Sequence, residues 1–377
     1  MKTIVQKYGG TSVSSIQKLK KIAEKIARDR VSDVNYLIVL SAMGDTTDKL
    51  VTLSNKVSKQ PNPRDYDMLL STGEQVSVAV LSMILNNINV NSISFTGWQA
   101  GIRTDSTSMM ARIEAINVKK IKSEFMKKNI VVVAGFQGVD DKDNITTLGR
   151  GGSDTTAVAL AAALKADECQ IYTDVDGVYT TDPRLCIKAR KLNKLTYEEM
   201  LEMAGLGSKV LQLRSVEFAS KHKVPIRVLN AHNIGSGTLI TKEEKKMEGA
   251  LISGIAFTKD EAEVMIKGVK DQPGVAAKIL GPIGDAKIEV DMIVQNVGSN
   301  GLADFTFTVS RNTLKKALQV IEKNKKIMMY ESVISKRNIV KVSIVGVGMR
   351  SHAGIAGRMF KCLAKNKVNI RMISTSE

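Results

Sequence analysis

The sequence predicts an α/β protein in which helices enclose a mostly parallel sheet, followed by smaller α+β modules. Short β-branched runs alternate with longer helical patterns through the first 230 residues, as strands and crossover helices do in a parallel sheet. The texture then changes at Gly235-Ser236-Gly237, and an internal repeat follows. A chain of 377 residues is long enough for two or three such domains.

The elements of the first part follow from its apolar runs and glycines. Strands are predicted at residues 3–7, 36–40, 92–96, 130–134 and 170–173. Helices are predicted at residues 14–29, 68–85 and 155–166. The run at 130–134 is continuously apolar and ends at Gly135, as expected for a strand that is buried on both faces.

The internal repeat consists of residues 264–296 and 342–376. Each copy reads as a strand, a glycine-containing turn, a helix and a second strand. The first copy continues into a strand at 303–309, a helix at 313–324 and a further strand, which completes a ferredoxin-like βαββαβ unit. The second copy stops after its second strand. The sequence therefore predicts an incomplete final module, with a sheet edge that is exposed unless a neighbour or an upstream strand at 251–257 covers it.

The composition argues against several classes of protein. The net charge of +17 invites a nucleic-acid partner, but the charge is spread along the chain and aromatic residues make up only 4%, too few to stack bases. The three cysteines lie far apart without a CxxC pair, which argues against a zinc site. No signal-peptide pattern opens the chain, and apolar stretches such as 76–85 are shorter than the roughly 20 residues that span a bilayer. We expect a cytoplasmic protein without nucleic-acid or membrane partners.

Two glycine-rich turns that follow predicted strands indicate where a ligand binds, because open parallel sheets bind ligands at the carboxyl ends of their strands. Residues 7–12 (KYGGTS) offer a cation and backbone N–H groups to a phosphate. Residues 148–156 (LGRGGSDTT) place Arg150 at the start of a helix, where a guanidinium can bind a carboxylate bidentately. The first motif alone is better explained as an ordinary strand-to-helix turn and the second alone could be a capped helix, but two such turns in one sheet make coincidence less probable. The Walker and GxGxxG patterns are absent, which disfavours P-loop and dinucleotide-binding proteins.

Seven motifs together identify a family. They are KYGGTSV (7–13), SAMGDTTD (41–48), STGEQVS (71–77), GFQG (135–138), GRGGSDTTA (149–157), YTDVDGVYTTDPR (172–184) and GSKVLQLRSVE (207–217). In this order they resemble the aspartate kinases of the amino acid kinase family, and the repeat resembles the tandem ACT regulatory domains of those enzymes. The resemblance implies a catalytic domain at 1–235, a linker with the first regulatory strand at 236–260, one ACT domain at 261–337 and a second, truncated at its C-terminal end, at 338–377.

The resemblance implies phosphoryl transfer from MgATP to the side-chain carboxylate of L-aspartate, which gives 4-phospho-L-aspartate and ADP. This is the first step toward lysine, threonine and methionine. A carboxylate is already ionised at neutral pH, so the reaction needs cations and N–H donors to offset anionic charge more than it needs a general base. The three histidines of the chain lie outside the matched catalytic motifs, in agreement with this expectation.

The resemblance also implies roles for individual residues. Lys7 and Asp154 would be catalytic, with Asp154 organising the surroundings of the lysine and of Mg²⁺. Nucleotide binding would fall to Lys7, Tyr8, Gly9, Gly10, Ser41, Thr173, Asp174, Tyr179, Asp182, Arg184 and Lys209. Aspartate would be bound by Thr47, Glu74, Arg150, Gly151, Gly152 and Ser153. In this set Glu74 would accept from the α-ammonium group and Arg150 would pair with a carboxylate, and no separate metal site is implied.

The ACT domains imply feedback inhibition by an amino acid, lysine and/or threonine. The matching effector residues are Asp271, Gly274, Val275, Ala276, Gln295, Asn296, Ser374 and Thr375. The helix N-terminus after Gly274 would take the effector carboxylate, and Asp271 or a side-chain amide would take its ammonium group. The alternative is that these modules serve only dimer contact. The chain would act as a homodimer or together with a shorter regulatory chain.

Two other functions remain open from the sequence. A related amino acid kinase would use a different acceptor, such as glutamate or acetylglutamate, although the tandem repeat and the STGEQ motif argue against it. A non-catalytic amino-acid sensor would have lost Lys7, Arg150 or Asp154, and all three are present.

Overall fold

The computed structural model describes residues 1–208, 210–242, 252–298, 301–346 and 354–375. The chain forms two compact units, Met1–Gly254 and Ile255–Glu377. Within the linker predicted at 236–260, residues 243–251 lie outside the described ranges.

The first unit contains twelve strands and seven helices among its described residues. The strands are β1 (Lys2–Tyr8), β2 (Val34–Leu40), β3 (Ser92–Phe95), β4 (Ile102–Thr104), β5 (Ile113–Ile116), β6 (Ile130–Ala134), β7 (Gln137–Val139), β8 (Ile145–Thr147), β9 (Glu168–Thr173), β10 (Lys194–Thr196), β11 (Ile226–Asn230) and β12 (Thr238–Thr241). The helices are α1 (Ile16–Asp29), α2 (Thr46–Val57), α3 (Pro63–Asn87), α4 (Lys119–Met126), α5 (Gly152–Leu164), α6 (Tyr197–Gly205) and α7 (Leu213–His222). All strands and helices predicted for residues 1–230 are present.

Eight strands form one sheet in the order β10-β12-β11-β9-β1-β2-β6-β3. Every pairing in it is parallel except β11 with β12, which confirms the mostly parallel sheet. The register sets Tyr8 opposite Leu40 on one side and Tyr172 on the other, and Leu40 opposite Ala134. The carboxyl ends of four central strands therefore meet along one edge.

Helices cover both faces of this sheet, because its central strands are apolar on both sides. β6 is buried at all five positions, as its continuous apolar sequence predicts. Residues of α1 and α3 pack with Tyr8, Leu40 and Val132 into one core cluster. Side chains alternate between the two faces of a strand, so Lys7, the neighbour of Tyr8 on β1, points to the opposite face. There it forms an ion pair with Asp154 of α5.

A second, four-stranded sheet with the order β5-β4-β7-β8 was not predicted from the sequence, and neither were β10 to β12 and helices α2, α4, α6 and α7. Its strands have only three or four residues, too few for an alternating pattern to be recognised. Strand β8 leads directly into the glycine turn before α5, so this sheet places that turn.

Helix α3 is long and apolar enough, by length and composition alone, to cross a membrane. Half of its apolar window is buried inside the protein, as is common for the core helix of a globular domain. Its buried residues include Glu74 and Asp67, both of which bear on the candidate site.

The second unit holds the repeat. Its described elements are β13 (Gly254–Lys270), α8 (Val275–Asp285), β14 (Ile293–Val297), β15 (Leu302–Val309), α9 (Leu314–Lys323), α10 (Lys325–Met328), β16 (Ser332–Val345) and α11 (Ile355–Lys365). The sheet order is β14-β15-β13-β16, and α8 and α9 pack on one face around Phe305, Phe307 and Ile279. The predicted βαββαβ unit is therefore confirmed.

The second strand predicted for the second repeat copy is wrong for the described residues. Residues 368–375 follow α11 without regular secondary structure. No described strand pairs with these residues, and Arg371 instead donates hydrogen bonds of 2.5 and 2.9 Å to the buried carboxylate of Glu263 in β13. The segment after α11 is thus attached to the sheet through a side chain.

Candidate active site

The first glycine turn lies where β1 ends. The N–H of Gly9 donates to Tyr172 O over 3.3 Å, which ties the turn to the neighbouring strand. A Cβ on Gly10 would lie 2.9 Å from Ala42 O, so this position has no room for a side chain. The Gly44 N–H donates to Gly10 O over 3.0 Å. Two neighbouring strand ends therefore expose their backbones side by side, as a phosphate site requires.

Lys7 and Asp154 form an ion pair beside this turn. The Nζ of Lys7 lies 2.5 Å from Oδ1 of Asp154, and both side chains are about nine-tenths buried. Asp154 is in the first turn of α5, where the helix dipole stabilises a carboxylate. The pair therefore holds the lysine amine close to the Gly9 position, where an added Cβ would be 3.5 Å from Nζ.

Tyr8 does not present its side chain to this edge of the sheet. The side chain is fully buried and stacks on Tyr172 with ring centroids 4.5 Å apart, and its hydroxyl donates to Gln6 over 3.2 Å. Burial raises the pKa of Tyr8 well above its ordinary value. Of the nucleotide-binding role predicted for Tyr8, only a backbone contribution is compatible with this geometry.

The second glycine turn connects β8 to α5. Gly151 is the N-cap residue of α5 with φ of 74°, and a Cβ there would overlap the side chain of Gln212. A Cβ on Gly152 would lie 2.8 Å from the Phe136 ring. Arg150, at the tip, is exposed and forms no hydrogen bond or ion pair with the residues that the structure describes. Its guanidinium is therefore available to an anion, while tight packing fixes the backbone beneath it.

The buried residue Glu74 is the third component of the candidate site, beside the two glycine turns. It lies on α3, and its Oε1 accepts from the Ala42 N–H over 3.0 Å, while Oε2 has no hydrogen-bond partner among the described residues. Gly73 permits this approach, because a Cβ there would lie 2.9 Å from Ala42 Cβ. Burial raises the pKa of Glu74 to about 7, and the Ala42 N–H opposes the shift. Such an acceptor suits a cationic group. Thr47 is half-buried near the start of α2.

The residues predicted for the nucleotide lie after β9. Thr173 ends this strand, and its hydroxyl donates to Asp174 over 3.1 Å. Asp182 and Arg184 form a two-point ion pair with each other, which holds the pKa of Asp182 below its ordinary value. Tyr179 is half-buried. Lys209 lies outside the residues that the structure describes, and Ser41 is half-buried with its N–H bound to Tyr8 O at 3.2 Å.

Two residues at this site had no predicted role. Asn230, at the end of β11, donates to Asp174 O over 3.3 Å and to the Asp176 carboxylate over 2.9 Å, so it fixes the loop after β9. Arg214 donates to backbone oxygens next to the second glycine turn. Arg214 belongs to the GSKVLQLRSVE motif, but its partners are distant in sequence and no local pattern reveals them.

Comparisons with known proteins assign the family. The model of the amino acid kinase family matches residues 2–230, and ACT-domain models match residues 264–325 and 342–377. An aspartate kinase of Stutzerimonas stutzeri (strain A1501) is 58% identical over 378 residues, covering 100% of this chain and 92% of that protein. The chain belongs to the aspartate kinase family. An aspartokinase of Helicobacter pylori (strain ATCC 700392 / 26695) is 47% identical, covering 99% of this chain and 93% of that protein.

Solved structures of aspartate kinases share the fold. The aspartate kinase from Synechocystis is 39% identical with a TM-score of 0.59, covering 100% of this chain and 65% of that longer chain. The E. coli aspartokinase III, solved with aspartate and ADP, is 24% identical with a TM-score of 0.81, covering 100% of this chain and 94% of that chain. The protein is accordingly a nucleotide-using kinase with an amino acid kinase domain and ACT regulatory domains.

The candidate effector residues of this aspartate kinase lie mostly at one end of the second unit. The side-chain amide of Gln295 donates to Asp271 over 3.2 Å, which joins β14 to the segment before α8. Gly274, with φ of 89°, is the N-cap residue of α8, and Val275 is buried beneath it. Ala276 and Asn296 are exposed nearby in sequence, whereas Ser374 and Thr375 are exposed in the segment after α11.

Proposed function

We propose that this aspartate kinase transfers the γ-phosphoryl group of MgATP to the side-chain carboxylate of L-aspartate. The products are 4-phospho-L-aspartate and ADP, and the reaction begins the route to lysine, threonine and methionine. The observation that carries the proposal is the Lys7–Asp154 pair beside the Gly9–Gly10 turn, with buried Glu74 bound to Ala42 on the adjoining strand end. A cation for the phosphate and an anion for an ammonium group thus belong to one edge of the sheet.

The acceptor chemistry explains why no histidine is needed. A carboxylate with a pKa of about 3.9 is already deprotonated at neutral pH and attacks phosphorus directly. The barrier comes from bringing two anions together and from the charge on the transferring group. Lys7 and the N–H of Gly10 would offset that charge without reorganising, because the Gly9 N–H bond to Tyr172 O fixes the turn in advance.

The aspartate substrate would be held by its two remaining charged groups. Its α-ammonium group would donate to the free Oε2 of Glu74, with Thr47 beside it, and Arg150 would pair with its α-carboxylate. Gly151, Gly152 and Ser153 would add N–H and hydroxyl donors from the start of α5. This arrangement favours an acceptor that carries an ammonium group and two carboxylates.

The nucleotide would lie along the end of β9. Thr173, Asp174, Tyr179, Asp182, Arg184 and Lys209 would hold adenosine and phosphates, with Ser41 lining the cleft. The closely packed Gly10 fits a phosphate cradle, since a side chain there would collide with Ala42 O. Among the described residues no three His, Cys, Asp or Glu side chains cluster as a metal site. Mg²⁺ would be bound through the phosphates of ATP, in surroundings that Asp154 organises, and would supply further positive charge there.

The ACT domains would make the enzyme responsive to lysine and/or threonine. The ammonium group of an effector would bind Asp271 or the Gln295 side chain. Its carboxylate would bind the N-terminus of α8. The proposal also includes the domain bounds 1–235, 236–260, 261–337 and 338–377. The protein would be cytoplasmic and would assemble as a homodimer or with a regulatory chain.

A coupled ADP-release assay with a panel of acceptors tests the reaction. L-aspartate should support turnover, whereas L-glutamate and N-acetyl-L-glutamate should not. The acyl phosphate should be trapped by hydroxylamine as a hydroxamate in amounts equal to the ADP. Turnover with glutamate but not aspartate would overturn the proposal, as would ADP release without hydroxamate.

A further inference from the structure

Two backbone segments, which we name the rim segments, lie side by side at the second glycine turn: residues 109–111 and residues 147–149. The N–H of Ala111 donates to Thr147 O over 2.9 Å. A Cβ on Gly149 would lie 3.1 Å from Met109 O. Arg150 follows directly after the second rim segment, so the position of its backbone depends on how these segments are held.

Asp67 of α3 binds both rim segments from one side. Its carboxylate accepts from the Met109 N–H at 2.9 Å and from the Thr147 hydroxyl at 2.6 Å. The residue is fully buried. Met109 has a left-handed backbone with φ of 69°, a conformation that a side chain disfavours and that the Asp67 contact stabilises.

Arg214 of α7 binds the same two segments through their carbonyl groups. One terminal nitrogen donates to Leu148 O over 2.7 Å and the other to Ala111 O over 2.6 Å. Among the described residues the guanidinium forms no ion pair with a carboxylate. A half-buried arginine whose two terminal nitrogens bind only backbone carbonyls serves geometry, because the planar fork fixes the distance between two acceptors.

We propose that Asp67 and Arg214 are positioning residues that hold the Arg150 turn from two sides and thereby set the affinity for the acceptor amino acid. Each residue bridges one rim segment to the other. Asp67 accepts hydrogen bonds from a backbone N–H of one segment and a hydroxyl of the other. Arg214 donates hydrogen bonds to a backbone carbonyl of each segment. The inference rests on the proposed function, since it requires Arg150 to bind the acceptor.

Further contacts act at the base of the turn and within it, and Gln212 and Phe136 pack against Gly151 and Gly152. Leu148 N donates to Phe136 O over 2.9 Å at the base of the turn, and Gly152 N donates to Gly149 O over 3.0 Å within it. Three glycines surround Arg150 and give the tip the widest range of backbone conformations. When Arg214 is lost, the carbonyls of Ala111 and Leu148 lose their shared donor and the tip gains freedom to shift relative to the acceptor, while the Lys7 turn keeps its own contacts.

Steady-state kinetics with Arg214→Met tests the proposal, because methionine retains much of the side-chain bulk but donates no hydrogen bond. We expect KM for the acceptor to rise about tenfold or more, the change that follows from losing a charged hydrogen bond, with KM for ATP within about twofold of wild type. Arg227→Met is the matched control. Arg227 is also half-buried and donates to Glu168 and to Ser236 O, but it lies near the start of β11, at the opposite end from Asn230.

Arg227→Met should lower thermal stability without separating the two KM values. Arg214→Lys should recover part of the acceptor affinity, since one ammonium group reaches one carbonyl. Thr147→Val, which removes a single donor to Asp67, should raise acceptor KM in the same selective way and stands in if Arg214→Met fails to fold. The proposal would be overturned if Arg214→Met or Thr147→Val changed the KM values for the acceptor and for ATP equally. It would also be overturned if neither variant changed the KM for the acceptor. Failure of wild type to use aspartate would instead reject the proposed function.

Discussion

Glu74 places a carboxylate that is 3% exposed at the edge of the sheet where we propose that aspartate binds, with one oxygen bound to the Ala42 N–H and the other without a partner among the described residues. Burial without a cation favours the protonated acid, which explains its raised pKa. An arriving ammonium group stabilises the ionised form instead. Binding and ionisation of this residue are therefore linked, and each strengthens the other.

The linkage predicts a pH dependence. The pKa of Glu74 is raised to about 7, so the ionised form that binds ammonium predominates above that pH and is lost as the pH falls through it. KM for aspartate should rise steadily from pH 8 to pH 6, while KM for ATP changes less. Initial rates across this range, with both substrates varied, provide the measurement.

Glu74→Gln supplies the control for that dependence. The amide keeps the contact to the Ala42 N–H through its oxygen but bears no charge. KM for aspartate should then be high at every pH and nearly flat. A Glu74→Gln profile that retains the wild-type slope would assign the titration to another group.

Lys7 gives the second prediction at this scale. Replacing it by Ala removes the cation at the phosphate turn and leaves Asp154 unpaired and close to incoming phosphates. The turnover number should fall about a hundredfold or more, the loss seen when one preorganised donor is removed from a charged transition state. Calorimetric titration with lysine and threonine should show effector binding unchanged, and retained activity would remove Lys7 from the mechanism.

The family motifs predicted which residues lie at the carboxyl edge of the large sheet, but they did not predict the direction of every side chain there. Lys7, Asp154 and Glu74 lie at or beside the turns where the motifs put them. Tyr8 is adjacent to Lys7 on a strand, so its side chain points to the other face and cannot join Lys7. Arg214 was missed because its partners, Ala111 and Leu148, lie far away in the sequence.

At the scale of elements, the β1 turn depends on how closely β1 and β2 approach at their ends. Gly10→Ala would put a Cβ 2.9 Å from Ala42 O, and the two strand ends would have to separate. We expect a loss of about 1–3 kcal/mol in the free energy of unfolding, the range typical of overpacking, and at least a tenfold loss of kcat/KM for ATP. Urea denaturation and kinetics provide the measurements.

Gly9→Ala is the companion variant. Its Cβ would lie 3.5 Å from Lys7 Nζ and 3.8 Å from Tyr172 O, which are ordinary contact distances. Its effect on stability should therefore be clearly smaller than that of Gly10→Ala. Equal losses for the two variants would show that strand separation is not the cause.

Elements with long apolar patterns could be predicted from the sequence. Very short strands, and a strand whose formation depends on a partner strand, could not. β1, α1, β6 and α5 are near their predicted bounds, because burial on a sheet fixes their apolar patterns. The strands of the small sheet are too short to leave a pattern. The strand predicted after α11 failed for a different reason: the repeat gave its residues an apolar sequence, but a strand also needs a partner to satisfy its backbone.

At the scale of the whole molecule, the prediction concerns effector binding. Asp271→Ala removes the carboxylate that Gln295 binds and that would meet the effector's ammonium group. The effector concentration for half-inhibition should rise about tenfold, corresponding to one lost charged hydrogen bond. Initial rates with lysine and threonine, singly and together, provide the measurement and identify the inhibitor.

Asp285→Ala is the matched control, since Asp285 is an exposed aspartate at the other end of α8. It should leave half-inhibition unchanged. An equal shift in both variants would point to general loosening of the helix. No response of wild type to either amino acid would confine the second unit to dimer contact.

The fold class of the whole chain was predictable because the family motifs cover both units in order. The sequence did not show that β16 runs without a break from Ser332 to Val345, entering the stretch matched by the second ACT model at residue 342.

That unbroken strand is shared by the two repeat copies, so no loop separates them where the second one begins. A loop at this point would act as a hinge, whereas a strand that pairs with β13 is a stiffer connection. We expect strain that a bound amino acid imposes on one copy to reach the other through this strand. Heat should accordingly melt both modules in a single cooperative step.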